Sequence, residues 1–394
     1  MPVPLLPAHE SEAVITGFVR TLKLRHLLAS ALLVGAFLLS ATPAPAAQEA
    51  APLTSGAVFN NPKGSAAQQN AVKDHIITAI GRTQSGRMIR SALYALTDQD
   101  YTDALIAADR RGVAVRVVLD AKFKSSEAAQ NLVSALGTDK ANGSWVHVCT
   151  SGGACIATGR SSMINHNKFF LFSRVGNVGE AEDVVIQTSA NQTSLNTTRY
   201  WNNAYTVVGN TPLYTAYREY FDDLAAMTKN ENYFVSGKVG TEKYYFFPQQ
   251  TGDVMVDILG NLSCAQGATV RVAAFALHRD AVAQKLRSLA DQGCSVRVVY
   301  NDSNDVGELS GHRNIALRRL STADGYLVHS KYVLIEGNYA GHAGTKWTFT
   351  GSHNLDESSL RDNDEAMLRL EGTGPHDAYR QNFESMFAIA TPAG

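Results

Sequence analysis

The chain contains two copies of one pattern, and this duplication limits its possible folds more than any other feature of the sequence. "GRMIRSALYAL" (86–96) followed by "ALIAADRRGVAVRVVLDA" (104–121) is matched by "GATVRVAAFAL" (267–277) followed by "AQKLRSLADQGCSVRVVYND" (283–302). The offset of 181 sets Arg90 on Arg271, Gly112 on Gly293 and Arg116 on Arg297. Each copy reads as a short apolar strand, an amphipathic helix, a glycine turn and a Val-rich strand, which is a βαβ unit with parallel strands. The lead-ins "AVFNNPKG" (57–64) and "YYFFPQQTG" (244–252) also agree, and both copies close on a helix, "PLYTAYREYFDDL" and "PHDAYRQNFESMF". The predicted fold is α/β, with two pseudo-symmetric halves that are each a mixed β-sheet flanked by helices. The halves are expected at 54–230 and 240–391, with 231–240 as a linker and the aromatic rings of "KYYFFPQQ" on the seam between them.

Further along, the register continues at an offset of 163, placing His166 on His329, Lys168 on Lys331, Ser189 on Ser352 and Asn191 on Asn354. The first copy therefore carries 18 extra residues before its histidine, in a connection that includes Trp145. "INHNKFFLF" (164–172) and "LVHSKYVLI" (327–335) put ionisable groups inside runs of β-formers, where a lone buried charge is costly. Period-2 alternation points His166 and Lys168 to one side and Asn167 and Phe169 to the other. A two-fold relation brings equivalent residues together at its axis, so both strands can face one cleft and share one bound anion.

For a phosphodiester the chemistry follows. Lys168, Lys331, Asn191 and Asn354, with the hydroxyls of Ser189 and Ser352, donate to the non-bridging oxygens as phosphorus becomes five-coordinate. One neutral imidazole attacks phosphorus in line, the other protonates the departing oxygen, and the second step reverses the roles with water or an alcohol. An ordinary histidine pKa of about 6.5 suits both tasks. The lysines supply the positive charge, so no metal or other cofactor is required.

Two His-x-Lys copies, each followed by Ser-x-Asn, resemble the phospholipase D superfamily, the phosphodiesterases with paired HKD motifs. The resemblance covers essentially the whole chain beyond its N-terminus and implies the phospholipase D-like fold. It assigns His166, Lys168, Asn191, His329, Lys331 and Asn354 to catalysis, with His166 as nucleophile and His329 as acid, then base. It also implies a carboxylate or amide about eleven residues after each asparagine that holds an imidazole by Nδ1. Glu365 is expected to serve His166, and Asn202 or Asn203 to serve His329, across the pseudo-dyad. The sequence departs from the pattern at the motif aspartate, which is Ser173 in one copy and Glu336 in the other. A His-to-Asn separation of 25 residues in both copies implies long hairpins.

Substrate and compartment rest on composition and the N-terminus. A formal net charge of −1 and 45% hydrophobic residues describe an ordinary globule with no global basic excess for a polyanion. Arg20, Lys23 and Arg25 precede the apolar run 27–41 and the small residues of "TPAPAAQEAAP", which reads as a secretory signal over 1–46; no later run is apolar enough to span a membrane. Export permits disulfides. Cys149 and Cys155 enclose "TSGGA" and are expected to pair, leaving Cys264 for Cys294. The reading is a secreted, extracellular monomer with an internal pseudo-dimer, hydrolysing or transphosphatidylating phospholipids with water or an alcohol as acceptor. The alternatives are a nuclease of the same superfamily acting on DNA or RNA, and a decayed phosphate-binding module.

Overall fold

The computed structural model describes residues 51–150, 153–158, 163–301 and 306–393. The expected signal segment lies outside them. The first half runs β1 (Gly56–Phe59), α1 (Ala66–Arg82), β2 (Met88–Leu93), α2 (Gln99–Arg110), β3 (Ala114–Leu119), α3 (Glu127–Leu136), β4 (Trp145–Val148), β5 (Lys168–Val175), β6 (Ala181–Thr188), α4 (Ser194–Thr198), β7 (Tyr200–Trp201), β8 (Asn203–Val207) and α5 (Thr211–Ala226). There follow β9 (Val235–Val239), β10 (Glu242–Phe247), α6 (Val254–Gly260), β11 (Leu262–Ser263), β12 (Thr269–Ala274), α7 (Asp280–Asp291), β13 (Ser295–Asn301) and β14 (Ile315–Leu320). The chain closes with β15 (Leu327–Val328), β16 (Lys331–Tyr339), β17 (His342–Gly351), α8 (Glu357–Arg361), β18 (Glu365–Glu371), α9 (Thr373–Ile389) and β19 (Thr391–Ala393).

Both halves are mixed sheets. The first has the order β1-β8-β6-β5-β2-β3-β4, and the second repeats it as β10-β18-β17-β16-β12-β13-β14, extended by β9 and β19 at its edges. Strands β2, β3 and β4 run parallel, as do β12, β13 and β14, while β5 and β16 join their sheets antiparallel. Residues 231–240 are more than a linker, because they contain β9, which pairs with β10 as an edge hairpin turning at Gly240 (φ 69°).

Alternation along the strands builds three cores. Phe169 and Leu171 of β5 join Tyr332 and Leu334 of β16 in a central core, together with Tyr217, Tyr220 and Phe221 of α5 and Tyr379, Phe383 and Met386 of α9. Phe170 and Phe172 face an outer core under α1 and α2, and Val333 and Ile335 face another under α6 and α7. The same alternation divides the aromatic cluster. Phe246 stacks on Tyr220 at 4.2 Å in the central seam, with Tyr244 beside it, whereas Tyr245 and Phe247 turn to the outer core. A strand cannot send all four consecutive rings to one face. Helix starts are capped as their sequences suggest: Ser65 and Gln68 form a capping box on α1, Asp98 caps α2 and Asn210 caps α5. Cys149–Cys155 and Cys264–Cys294 are both disulfide-bonded.

Candidate active site

Strands β5 and β16 begin at Lys168 and Lys331, so each histidine sits two residues upstream, where its chain leaves its own sheet for the other half. His166 N donates to Asp364 O at 2.9 Å, and Asp364 N donates to Ile164 O at 3.0 Å. The counterpart is His329 N to Trp201 O at 2.9 Å, beside the parallel pairing of β15 with β7. The preceding residues are clamped from within each half: Asn165 N donates to Asp120 Oδ2 (2.7 Å) and Val328 N to Asn301 Oδ1 (2.9 Å). Asp120 and Asn301 are related by the 181-residue offset, a match the sequence contains but whose use only the fold reveals.

The imidazoles are held crosswise. His166 Nδ1 meets Glu365 Oε1 at 2.7 Å, and His329 Nδ1 meets Asn202 Oδ1 at 2.9 Å. Asn202 Nδ2 donates to Asn196 O and Tyr200 O, which leaves its oxygen to accept from the ring. Asn203 is directed elsewhere, to Thr350 Oγ1 and Tyr379 Oη. Lys168 Nζ donates to His166 O (2.6 Å) and Lys331 Nζ to His329 O (2.5 Å). Tyr94 and Phe275, again 181 apart, set an aromatic edge on each imidazole and lie under the lysines. The carboxamide oxygens of Asn191 and Asn354 are buried and make no hydrogen bond among the described residues.

Ser189 and Ser352 require correction as expected substrate ligands. Their hydroxyls are buried and donate inward, Ser189 to Asn202 Oδ1 at 2.9 Å and Ser352 to Glu365 Oε2, while accepting from Asn203 N and Ala366 N. They orient the groups behind the imidazoles. Ser173 accepts from Met88 N and Glu336 pairs with Arg271, so the motif-aspartate positions serve the sheet rather than the cleft. His353 is buried against Phe247 at 4.3 Å, with neither ring nitrogen bonded among the described residues.

Burial is the largest influence on every base here. It draws Lys168 down to about 7 against the pull of Glu365 and Asp120, and Lys331 well below the usual lysine range with Lys168 adding to the effect. His329 falls well below its ordinary value through burial, then through Lys331, Lys168 and His166. His166 is lowered by burial, with Glu365 opposing and Lys168 and Lys331 contributing. Burial works against ionisation of Glu365 too, but His166 and Lys168 hold it down to about 2. The pair therefore stands as ionised Glu365 accepting Nδ1–H from a neutral His166, which leaves Nε2 with a lone pair. These influences cross between the halves, so the two lysines and two histidines share one electrostatic field. Among the described residues no group of three or more metal-ligating side chains is placed to hold an ion.

One residue that sequence reasoning passed over is Asp364. Its buried carboxylate accepts the backbone N–H groups of Cys155, Ile156 and Ala157 at 2.7–3.2 Å and thereby pins the disulfide loop of the first half to the chain beside Glu365. An acid inside the apolar run "DEAML" was the available signal.

Fold and site define a class: a duplicated α/β scaffold that sets two histidine–lysine pairs against one another. The family model for the cardiolipin synthase, phospholipase D-like domain matches the chain twice, over residues 76–225 and 258–387, and the chain belongs to that family. Among solved structures it is similar to phosphatidylserine synthase from Haemophilus influenzae Rd KW20 (TM-score 0.60, 11% identity, 86% of this chain and 87% of that one). It is also similar to polyphosphate kinase from Porphyromonas gingivalis (TM-score 0.57, 14% identity, 84% of this chain), of whose length it spans 50%. Such identities speak for the fold alone. No curated protein matches the sequence.

Proposed function

We propose that the chain is a secreted phospholipase D-type phosphodiesterase acting on phospholipids through a phosphohistidine at His166. The observation that carries this reading is the crossed anchoring of two imidazoles beside two buried lysines, with a carboxylate behind one ring and a neutral amide behind the other. Nε2 of neutral His166 forms the bond to phosphorus as the bond to the headgroup oxygen breaks. The ring becomes cationic in that step, and Glu365 stabilises the charge. His329 delivers its proton to the departing oxygen. Substrate anion beside Lys331 and Lys168 raises the affinity of His329 for that proton, offsetting the effects that hold it low in their absence. Asn202 fixes ring orientation without trapping the proton. His329 then takes a proton from water or an alcohol, whose oxygen displaces His166 and regenerates the enzyme. Lys168, Lys331, Asn191 and Asn354 hold the non-bridging oxygens. The two disulfides and the N-terminal apolar run support export.

The test is hydrolysis, with and without chelator, of mixed phospholipid vesicles beside single-stranded and double-stranded DNA, with acid quenching to trap label on the protein. We expect chelator-insensitive release of headgroup, label on His166, and loss of turnover by about 10³-fold in His166→Ala. An unlabelled wild type with unchanged turnover in His166→Ala would sink the mechanism. Preference for DNA, with a steep loss on added salt, would keep the chemistry and replace the substrate.

A further inference from the structure

The pseudo-two-fold supplies an internal control, because a feature the scaffold needs should be present on both rims of the cleft. One rim is built from the turn after β1, from α4 and from the turn before β15. The side chain of Asn60 ties the first to the second by donating to Asn196 O, Thr197 O and Tyr200 O. Leu327 N donates to Arg199 O and joins the third. On this rim the ring of Tyr326 lies under both Lys63 and Arg199, each 5.1 Å from its centroid. Both cations are exposed, and neither has an ion-pair partner among the described residues. Leu195, on the same helix as the approach to Arg199, is 57% exposed. Lys122 and Lys124, also exposed, follow β3 at the same end of the sheet, and Lys122 lies over Tyr94 beside His166. Asp324 and the buried Asp120 are the acids in these segments.

Among the described residues the opposite rim repeats the short helix, as α8, and carries none of this chemistry; Arg160, in the stretch that matches the turn before β15, lies outside them. The 163-residue offset puts Ser358 at the place of Leu195, Asp362 at that of Arg199 and Met163 at that of Tyr326. The strand register that pairs Phe59 with Asn203 and Phe246 with Ala366 puts Gln250 at the place of Lys63. The cation among its described residues, Arg361, is engaged with Gln249 O, Gly252 O and Glu357. The described part of that rim thus folds without a free exposed cation, a half-exposed tyrosine or a bare leucine.

We propose that Leu195, Lys63, Arg199 and Tyr326 form an interfacial surface that seats the enzyme on an anionic lipid membrane, with the cleft facing the lipid. The inference rests on the reading of His166 and His329 as a phospholipid site. Basic side chains are drawn to an anionic leaflet, a tyrosine suits the headgroup layer, and an exposed leucine gains only where there is hydrocarbon to enter. A nucleic acid strand would use the cations but has no use for Leu195.

The experiment compares full chains, so that residues 1–50 contribute equally to each. Wild type, Lys63→Gln/Arg199→Gln and Leu195→Asp are measured for co-sedimentation with phosphatidylglycerol vesicles and with phosphatidylcholine vesicles. Each is also measured for turnover of soluble bis(4-nitrophenyl) phosphate and for binding of a single-stranded oligonucleotide. We expect wild type to prefer phosphatidylglycerol. Binding should fall roughly 30-fold in the double variant and about tenfold in Leu195→Asp, with soluble turnover unchanged. Equal vesicle binding by all three chains, or no preference of wild type for the anionic vesicles, overturns the proposal. Oligonucleotide binding that depends on Lys63 and Arg199 in a chain indifferent to vesicles overturns it in favour of nucleic acid. Absence of soluble turnover in wild type strikes the phosphodiesterase reading instead, and the vesicle measurements remain interpretable without it.

Discussion

Lys168 is fully buried beside Lys331, with Glu365 as the nearest strong compensation, and its affinity for a proton is lower folded than unfolded. The unfolded chain therefore binds more protons between about 7, where folded Lys168 titrates, and its ordinary 10.5. In that window stability rises with pH, the sign expected when the unfolded state holds the extra proton. Lys331 shifts in the same direction. Thermal unfolding should accordingly move to higher temperature from pH 7 toward pH 10, and the slope should flatten in Lys168→Gln. A saturating phosphate analogue should flatten it too, by keeping both lysines charged in the fold. A pH-independent melting temperature in wild type would contradict the burial of this charge. Glu365 acts with the same sign in a lower window, since its depressed value makes its contribution complete above about 4.5 and lost only as pH falls toward 2.

The elements that carry the histidines are short and irregular, and contacts from the other half hold them in place. The loop at 153–158, upstream of His166, is held in the same way, because the N–H groups of 155–157 donate to the side chain of Asp364 rather than to a neighbouring strand. Burial pushes that carboxyl up to about 7, and three backbone N–H groups and Lys229 work against the push. Asp364→Ala leaves those donors unmatched and should cost about 2–4 kcal/mol of stability. The amides of Ile156 and Ala157 should then lose hydrogen-exchange protection before those of β5 do. If exchange at 155–157 is unchanged in the variant, the loop is held instead by the Cys149–Cys155 disulfide and by the bonds that Lys229 and Asn230 donate to Ala154 O and Ile156 O.

Across the whole molecule, the two halves share one core. Phe246 from the second half lies face to face with Tyr220 of the first and edge-on to Tyr217, while Tyr379, edge-on to Tyr332 of its own half, meets Tyr205 and Phe59 from the other side. Such interlocking predicts a single cooperative unit. Phe246→Ala should lower stability by about 3–5 kcal/mol and still unfold in one calorimetric transition. Two separated transitions in the variant would show that the halves are independent domains. The arrangement of the site depends on this union, because each imidazole takes its Nδ1 partner from the half that does not carry it.

The sequence by itself determined the duplication, the strand–helix order, the matched His, Lys and Asn positions and the cysteine pairing. All of these are written in one-dimensional spacing: a repeat offset, an apolar period or a short loop between two thiols. Through the family resemblance it also pointed to the second members of the histidine pairs, Glu365 and Asn202, though not to Asn202 over Asn203, which are adjacent, one between β7 and β8 and the other the first residue of β8. Tertiary structure alone decided where the hydroxyls of Ser189 and Ser352 go, what Asp364 and Asp120 hold, and how the two rims of the cleft differ. Those outcomes depend on which segments, often more than a hundred residues apart, come within hydrogen-bonding distance. A donor reaching about 3 Å selects its partner from whatever the packed core brings near, and no local pattern encodes that choice.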